Sequence, residues 1–298
     1  MPWMEIRDYD ANWSAARAHD ACAKLEAGQI LFFERPPFDL ETSDLNALVA
    51  LRPSDSRLHK NISYRPSQDL LRGFSGSADE TQQVHDIMRR YYRGVVNFVS
   101  RFLAPYADKF QIDYASFRPL EEEGRDLPFH KRNDLLHVDA FPSRPTRGGR
   151  ILRVFTNANP TQTRVWRVGP RFPELARNYA TSAGLPKFAN TGHTRRSALH
   201  TLHSIGVPVP DRSAYDEFML RFHDWLKENA EFQADNRAER LDFPPFSTWL
   251  VFTDGVPHAA LSGQFALEQT FIIPPNALVS PQVSPIRVLE SLAARKLA

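Results

Sequence analysis

Within Leu135-Leu-His-Val-Asp-Ala-Phe141, His137 and Asp139 stand two residues apart, and on an extended strand residues i and i+2 project from the same face. An imidazole and a carboxylate so placed can share one ligand. A third candidate, His258, ends Thr253-Asp-Gly-Val-Pro-His258, where a Gly/Pro turn after an apolar run can swing the ring back toward the sheet. Two histidines and one carboxylate on one face of a metal ion leave three adjacent positions open, the arrangement by which non-haem Fe(II) oxygenases take both a cosubstrate and O2. Arg153 follows Asp139 by fourteen residues, on the strand expected after the Gly148-Gly149 turn. A buried guanidinium there would clamp the far carboxylate of 2-oxoglutarate. Arg118 and Arg150 are secondary anion-binding candidates.

Blander readings use the same residues. His137 and Asp139 could be a hydrogen-bonded pair on a half-buried strand, with His258 a plain turn residue. A zinc hydrolase also uses three protein ligands plus water, but no companion general base is evident near the motif. His85 and His223 are expected on helix surfaces. His193, His200 and His203, with Arg195 and Arg196, would line a substrate loop or a solvated lid.

These residues need a scaffold, and the chain supplies one rich in short β runs. Leu135 to Phe141, Ile151 to Thr156, Arg164 to Val168, Thr248 to Thr253 and Phe265 to Ile273 are separated by Pro and Gly, which suggests an antiparallel sandwich or jelly roll. Three helices flank or interrupt them. The first runs from Ser14 to Ala27 with Gly28 as its stop. The second starts at the capping-box pattern Ser77-Ala-Asp-Glu80 and carries Val84, Ile87, Met88, Tyr91, Val95, Phe98, Val99 and Phe102 on one face. The third follows Asp211 as N-cap, and the segment Ile286 to Leu297 suits a short amphipathic helix. A single domain over 1–298 is expected: N-terminal elements over about 1–110 packed on a jelly-roll core of about 111–275, with a tail at 276–298.

The 298 residues are 42% hydrophobic and 24% charged, which excludes a disordered or disulfide-scaffold protein. Cys22 is the one cysteine, so no internal disulfide is possible and a cytoplasmic location is expected. No apolar run approaches the length of a membrane span, and the N-terminal segment lacks the pattern of a secretory signal. The net charge of +2 hides an asymmetry: from Ala140 to Pro210 eleven Lys/Arg face one acid, Glu174. Ten of the eleven are arginines, including Arg144, Arg147, Arg150, Arg195 and Arg196. Such a segment suits an anionic ligand bound through bidentate forks, or else a solvated basic face. It holds no recognisable base-reading module, so nucleic acid is not the expected partner.

The stretch His137-Val-Asp-Ala-Phe-Pro-Ser-Arg-Pro-Thr-Arg-Gly-Gly-Arg-Ile-Leu-Arg-Val-Phe-Thr-Asn157, then Asn159-Pro160, Arg164-Val-Trp-Arg-Val-Gly169 and Asp254-Gly-Val-Pro-His-Ala259, resembles the Kdo hydroxylases of Gram-negative bacteria. The resemblance covers about Gln29 to Pro274. It implies a double-stranded β-helix, Fe(II) held by His137, Asp139 and His258, 2-oxoglutarate and O2 as cosubstrates, and hydroxylation of the 3-deoxy sugar Kdo on lipid A to give Ko. Many related dioxygenases carry the cosubstrate anchor on the strand after the distal histidine. Phe265 to Ile273 has no basic residue, which leaves Arg153 as the choice and Arg118 beside it. Arg144, Arg147, Arg150, Arg195 and Arg196 would meet the acidic glycolipid, with peripheral contact at the inner-membrane surface. A 2-oxoglutarate dioxygenase for another anionic substrate, or a non-catalytic glycan-binding jelly roll, are the alternatives.

Overall fold

The structure, a computed structural model, describes residues 3–7, 9, 13–51, 58–190 and 212–298. Its strands are β1 (Trp3–Glu5), β2 (Ile30–Phe33), β3 (Leu58–Arg65), β4 (Leu70–Phe74), β5 (Gln111–Arg118), β6 (Arg150–Asn157), β7 (Arg164–Val168), β8 (Glu239–Phe243), β9 (Thr248–Phe252), β10 (His258–Ser262) and β11 (Ala266–Ile273). Eight form a sheet in the order β1-β2-β9-β6-β11-β5-β3-β4, and β10-β7-β8 form a second. Every pairing is antiparallel except β1 with β2. This mixed α+β architecture around a jelly-roll β core is the class expected. The N-terminal elements do more than pack on that core, because β1 to β4 extend both edges of the large sheet.

Alternation along the strands decides the layering. In β6, Leu152 and Val154 enter a core shared with α1 (Ala15–Glu26), α2 (Thr42–Val49) and α3 (Ala78–Phe102). Phe155 points the other way and joins Trp166, Phe243, Trp249 and Val251 between the two sheets. Phe243 and Trp249 stack there at 3.8 Å between ring centroids. Each such side chain contributes about 1.5–3 kcal/mol by leaving water. Arg153 shares the inward face of β6 with Phe155, so the two-residue period that builds the core also delivers a guanidinium into the space between the sheets.

The caps follow the local sequence. Ser14 caps α1, and Gly28 adopts φ +85 after it, a conformation that favours glycine. Ser77 and Glu80 close a reciprocal box at the start of α3. The helices α4 (Phe172–Tyr179) and α5 (Leu185–Asn190) precede α6 (Ala214–Glu228), which begins at Ser213 rather than Asp211. There the Ser213 hydroxyl accepts from the Asp216 N–H, while the Asp216 carboxylate accepts from the Ser213 N–H and hydroxyl. After α7 (Ala230–Gln233), the foreseen terminal helix is α8 (Pro285–Ala293). Together α4, α5, α6 and α8 bury Leu136, Val138 and Ala259 in a third core cluster. Among the described residues, no helix is long and apolar enough to cross a membrane.

Candidate metal centre

His137, Asp139 and His258 offer ligand atoms that all lie within 4.8 Å of one another. His137 and His258 exchange both backbone hydrogen bonds, at 3.1 and 2.9 Å, and the Asp139 N–H reaches the Thr253 carbonyl at 2.9 Å. Leu135 to Phe141 is therefore not the strand expected but a segment with one isolated bridge. The reason lies in its partner: Thr253 to His258 leaves the end of β9 in one sheet, turns, and starts β10 in the other, so the partner groups diverge and no ladder can continue. The triad sits where the two sheets part. Both rings are aimed from behind. Nδ1 of His137 lies 2.7 Å from the Leu135 carbonyl and Nδ1 of His258 lies 2.9 Å from the Val256 carbonyl. Donation there fixes the tautomer that leaves Nε2 as the ligand atom. Trp166 stacks on the His258 ring at 5.0 Å and 22°.

Among the described residues, no strand lies beside the segment on the side away from His258. Side chains take the place of one. Gln233, the last residue of α7, accepts from the Leu136 N–H at 2.9 Å and donates to the Leu136 carbonyl at 2.8 Å. It also donates to the Leu226 carbonyl at 2.8 Å, tying the segment to α6. Nδ1 of His223 lies 2.8 Å from the Val138 carbonyl, and its ring centroid is 4.8 Å from that of His137. The outward backbone groups on either side of His137 are thus satisfied by side chains, as buried polar groups require.

A cavity of about 290 Å³ holds the triad and is cationic on both walls. On the sheet wall, Arg153 Nε is 3.1 Å from Asp139 Oδ2, and Arg153 and Arg118 reach Glu268 at 3.4 and 2.8 Å. Arg164 lies 3.4 Å from Glu122. Burial by itself would raise the Asp139 carboxyl, but the Arg153 guanidinium and the two imidazoles outweigh it and hold the group well below the usual carboxylate range. Glu268 is likewise pushed up by burial and pulled further down by Arg118 and Arg153. Burial lowers His137, His258 and His223 below the ordinary imidazole value. The donor set is then an ionised carboxylate and neutral imidazoles, the protonation a divalent ion requires. Among the described residues, none donates a hydrogen bond to buried Asp139 Oδ2. These residues fit a metal with a 2-His-1-carboxylate face.

The remaining candidates are distributed elsewhere. Arg118 and Arg153 line the triad cavity. Arg150 does not: it is 1% exposed, bound to Asp254 at 2.8 Å and set over the Phe252 ring. It is a core residue, because its offset of three from Arg153 along β6 turns it to the opposite face of the strand. Arg144 and Arg147 line a separate cleft of about 640 Å³. Arg144 pairs with Asp113 and stacks on Phe141, with Arg153 near that same ring. Arg195, Arg196, His193, His200 and His203 lie outside the described residues. His85 sits on α3 beside Asp69 and Asp86, whereas His223 faces the cavity instead of solvent. The sequence reading missed Arg164, His130, Lys227 and Gln233. For His223 and Lys227 the available signal was their spacing of four on a helix whose apolar stripe is otherwise continuous.

Comparison with known proteins extends this picture. The family described as 3-deoxy-D-manno-oct-2-ulosonic acid (Kdo) hydroxylase matches residues 8–296. The solved structure of the Kdo hydroxylase KdoO, a non-heme Fe(II) alphaketoglutarate dependent dioxygenase, in complex with alphaketoglutarate and Fe(III), superposes with a TM-score of 0.86. It is 36% identical, over 100% of this chain and 98% of that one. KdoO in complex with cobalt(II) gives a TM-score of 0.86, and KdoO with succinate and Fe(III) 0.85, each at 36% identity over 100% of this chain and 97% of that one. Among curated proteins none matches.

Proposed function

Because this chain belongs to the Kdo hydroxylase family, we propose that it is an Fe(II)- and 2-oxoglutarate-dependent dioxygenase that hydroxylates C3 of Kdo carried on lipid A, giving Ko with succinate and CO2. The observation that carries this reading is the convergence of His137, Asp139 and His258 in a cavity walled by cations. Iron bound there, with 2-oxoglutarate and O2, supplies the oxidative chemistry. The chain's own residues bind and aim. Nε2 of His137, Nε2 of His258 and Asp139 hold the metal on one face. Arg153 and Arg118 take the far carboxylate of 2-oxoglutarate, and Arg164 supports the same wall. Phe155 and Trp166 give the cavity its apolar lining, Trp166 stacked on the His258 ring.

Arg144 and Arg147, in the neighbouring cleft, suit the more distant acidic groups of the glycolipid. Access to such a substrate fits peripheral docking on the cytoplasmic face of the inner membrane, where a basic surface is drawn to anionic lipid. The decisive test is anaerobic reconstitution with Fe(II) and 2-oxoglutarate, then O2 with Kdo-lipid A, followed by mass spectrometry. Gain of one oxygen coupled to succinate is expected, lost when iron or 2-oxoglutarate is omitted and in His137→Ala or Asp139→Ala. Succinate without a change in the lipid would point to a different anionic substrate. Neither product from folded, iron-loaded protein would leave a glycan-binding jelly roll.

A further inference from the structure

Strand register carries the inward face of the large sheet past the metal cavity. On β5, Ala115 and Phe117 enter the core beneath the helices, so Tyr114 and Arg118 project from the opposite face, where Arg118 lines the triad cavity. β3 pairs with β5 at Tyr64 and Ala115, and Tyr64 enters the same core, which turns Arg65 to the face of Tyr114. Two guanidiniums meet there: Arg65 lies 5.0 Å and Arg144 4.6 Å from the Tyr114 ring centroid. Arg144 also lies 4.4 Å from the Phe141 ring, and Arg153 lies 5.7 Å from that same ring. Arg144 and Arg153 therefore stand no more than about 10 Å apart. The row Arg153, Phe141, Arg144, Tyr114, Arg65 leads out of the cavity toward the separate cleft that Arg144 lines.

The cations of this row are not equally compensated. Arg153 is held by Asp139 and Glu268, and Arg144 by Asp113. Among the described residues no acid pairs with Arg65, which is half-buried and sealed as far as Nε, an atom without a hydrogen-bond partner. Asp69, the acid close to it in sequence, is turned instead to Tyr64, His85 and Arg89. One carboxylate, that of Asp113, thus serves two guanidiniums around Tyr114. Stacking on a ring fixes the plane of a guanidinium and leaves its terminal N–H groups in the fork geometry that matches an oxyanion. Arg65 gives up hydration and side-chain freedom with no acid to offset the loss. A phosphate or carboxylate bound by the fork supplies that offset.

We infer that Arg65 and Arg144, set around Tyr114, form a second anion site that takes the next acidic group of the glycolipid, a phosphate or carboxylate beyond the Kdo residue in the metal cavity. The enzyme then reads a pair of anions along one sheet face rather than a single sugar. This assignment rests on the Kdo reading above. It is tested with the anaerobic Fe(II)·2-oxoglutarate holoenzyme, titrated calorimetrically with three water-soluble ligands: the methyl glycoside of Kdo, a Kdo–Kdo disaccharide glycoside that adds a carboxylate, and deacylated Kdo-lipid A, which adds phosphate. The wild type is expected to bind at least one of the larger ligands roughly 10- to 100-fold tighter than the monosaccharide, the span of one charged contact, and the ligand that gains names the anion. Arg65→Met should remove that gain while leaving affinity for the monosaccharide and for 2-oxoglutarate unchanged. Arg65→Lys, which keeps the charge without the fork, should retain part of it, and Tyr114→Leu should reduce it by freeing both guanidiniums. Equal binding of all three ligands by the wild type overturns the inference without any variant. So does a gain that survives Arg65→Met, or a loss shared equally by the monosaccharide. Hydroxylation of Kdo-lipid A alongside any of these leaves the function standing, whereas failure to bind any of the glycans or to modify the lipid removes both.

Discussion

The sheet wall and the helix wall of the cavity are built by opposite means. The sheet wall is a lattice of charges fixed by strand register: Arg118 on β5, Arg153 on β6, Arg164 on β7 and Glu268 on β11 project inward from regular strands, and the three guanidiniums are paired by Glu268, Glu122 and Asp139. The helix wall, formed by α6 and α7, holds the metal-binding segment through neutral hydrogen bonds from Gln233 and His223 to backbone that none of the described strands pairs. The first wall is preorganised for charge and the second for position. Catalysis by this chemistry needs both, a place for anions and a metal face that does not drift.

The largest separation of the two roles is expected from the sheet wall. Arg153→Met or Arg118→Met should weaken 2-oxoglutarate binding to the metal-loaded enzyme by on the order of a hundredfold, because a bidentate charged contact is worth about 1.5–3 kcal/mol. Affinity for the Kdo methyl glycoside should hold. Calorimetry with each ligand in turn decides it, and the variant with the larger cosubstrate loss names the anchor. A loss on the sugar instead would assign that guanidinium to the substrate.

A smaller effect is expected on the helix wall. Gln233→Leu leaves the Leu136 N–H and carbonyl without partners, and such supporting contacts carry about 10- to 100-fold in metal affinity. Titration with Co(II), followed by its absorbance, should show weakened metal binding with 2-oxoglutarate affinity at saturating metal near that of the wild type. Gln233→Glu keeps an acceptor for the Leu136 N–H but not the donor, and should fall between. Unaltered metal affinity in both variants would mean that the bridge to His258 holds the segment unaided.

What the sequence disclosed follows the same division. Short β-rich runs bounded by Pro and Gly made β6, β7, β9 and β11 readable, and position together with elimination pointed to Arg153. The ligand types were legible because His137, Asp139 and His258 lie in short local patterns. Arg150 was misplaced because charge alone does not say which face of a strand an arginine takes. It is a core partner of Asp254, and Gly255 is needed beside it, since a Cβ there would lie 2.4 Å from its guanidinium. Part of the Asp254-Gly-Val-Pro-His258 pattern is therefore packing rather than chemistry. Gln233 and Lys227 each stand 97 residues from the backbone they bond, Leu136 and His130. No spacing rule spans that distance, and the expected strand at Leu135 to Phe141 concealed that its outer edge required such partners.

The smallest expected effect separates the walls by proton linkage. His137, His258 and His223 are pushed below the ordinary imidazole value by burial, whereas Asp139 and Glu268 are held below the ordinary carboxylate range, where the arginines outweigh burial. For the histidines, the unfolded chain takes up protons near pH 6.5 while the folded metal-free protein resists. The unfolded state then binds more protons, so stability is complete above about pH 6.5 and declines as pH falls below it, by at most about 1.4 kcal/mol per pH unit for each group. For the carboxylates the unfolded chain protonates only near pH 4, so their contribution persists through the histidine window and is lost at lower pH. Urea midpoints of metal-free protein from pH 8 to pH 3 should therefore fall in two stages, and His223→Gln should flatten the first stage alone. Saturating Co(II) should also shrink the first stage, since metal competes with protons for His137 and His258. A single decline confined to the acidic range would show instead that the imidazoles protonate as readily in the folded protein as in the unfolded chain, and that burial does not hold them neutral for the metal.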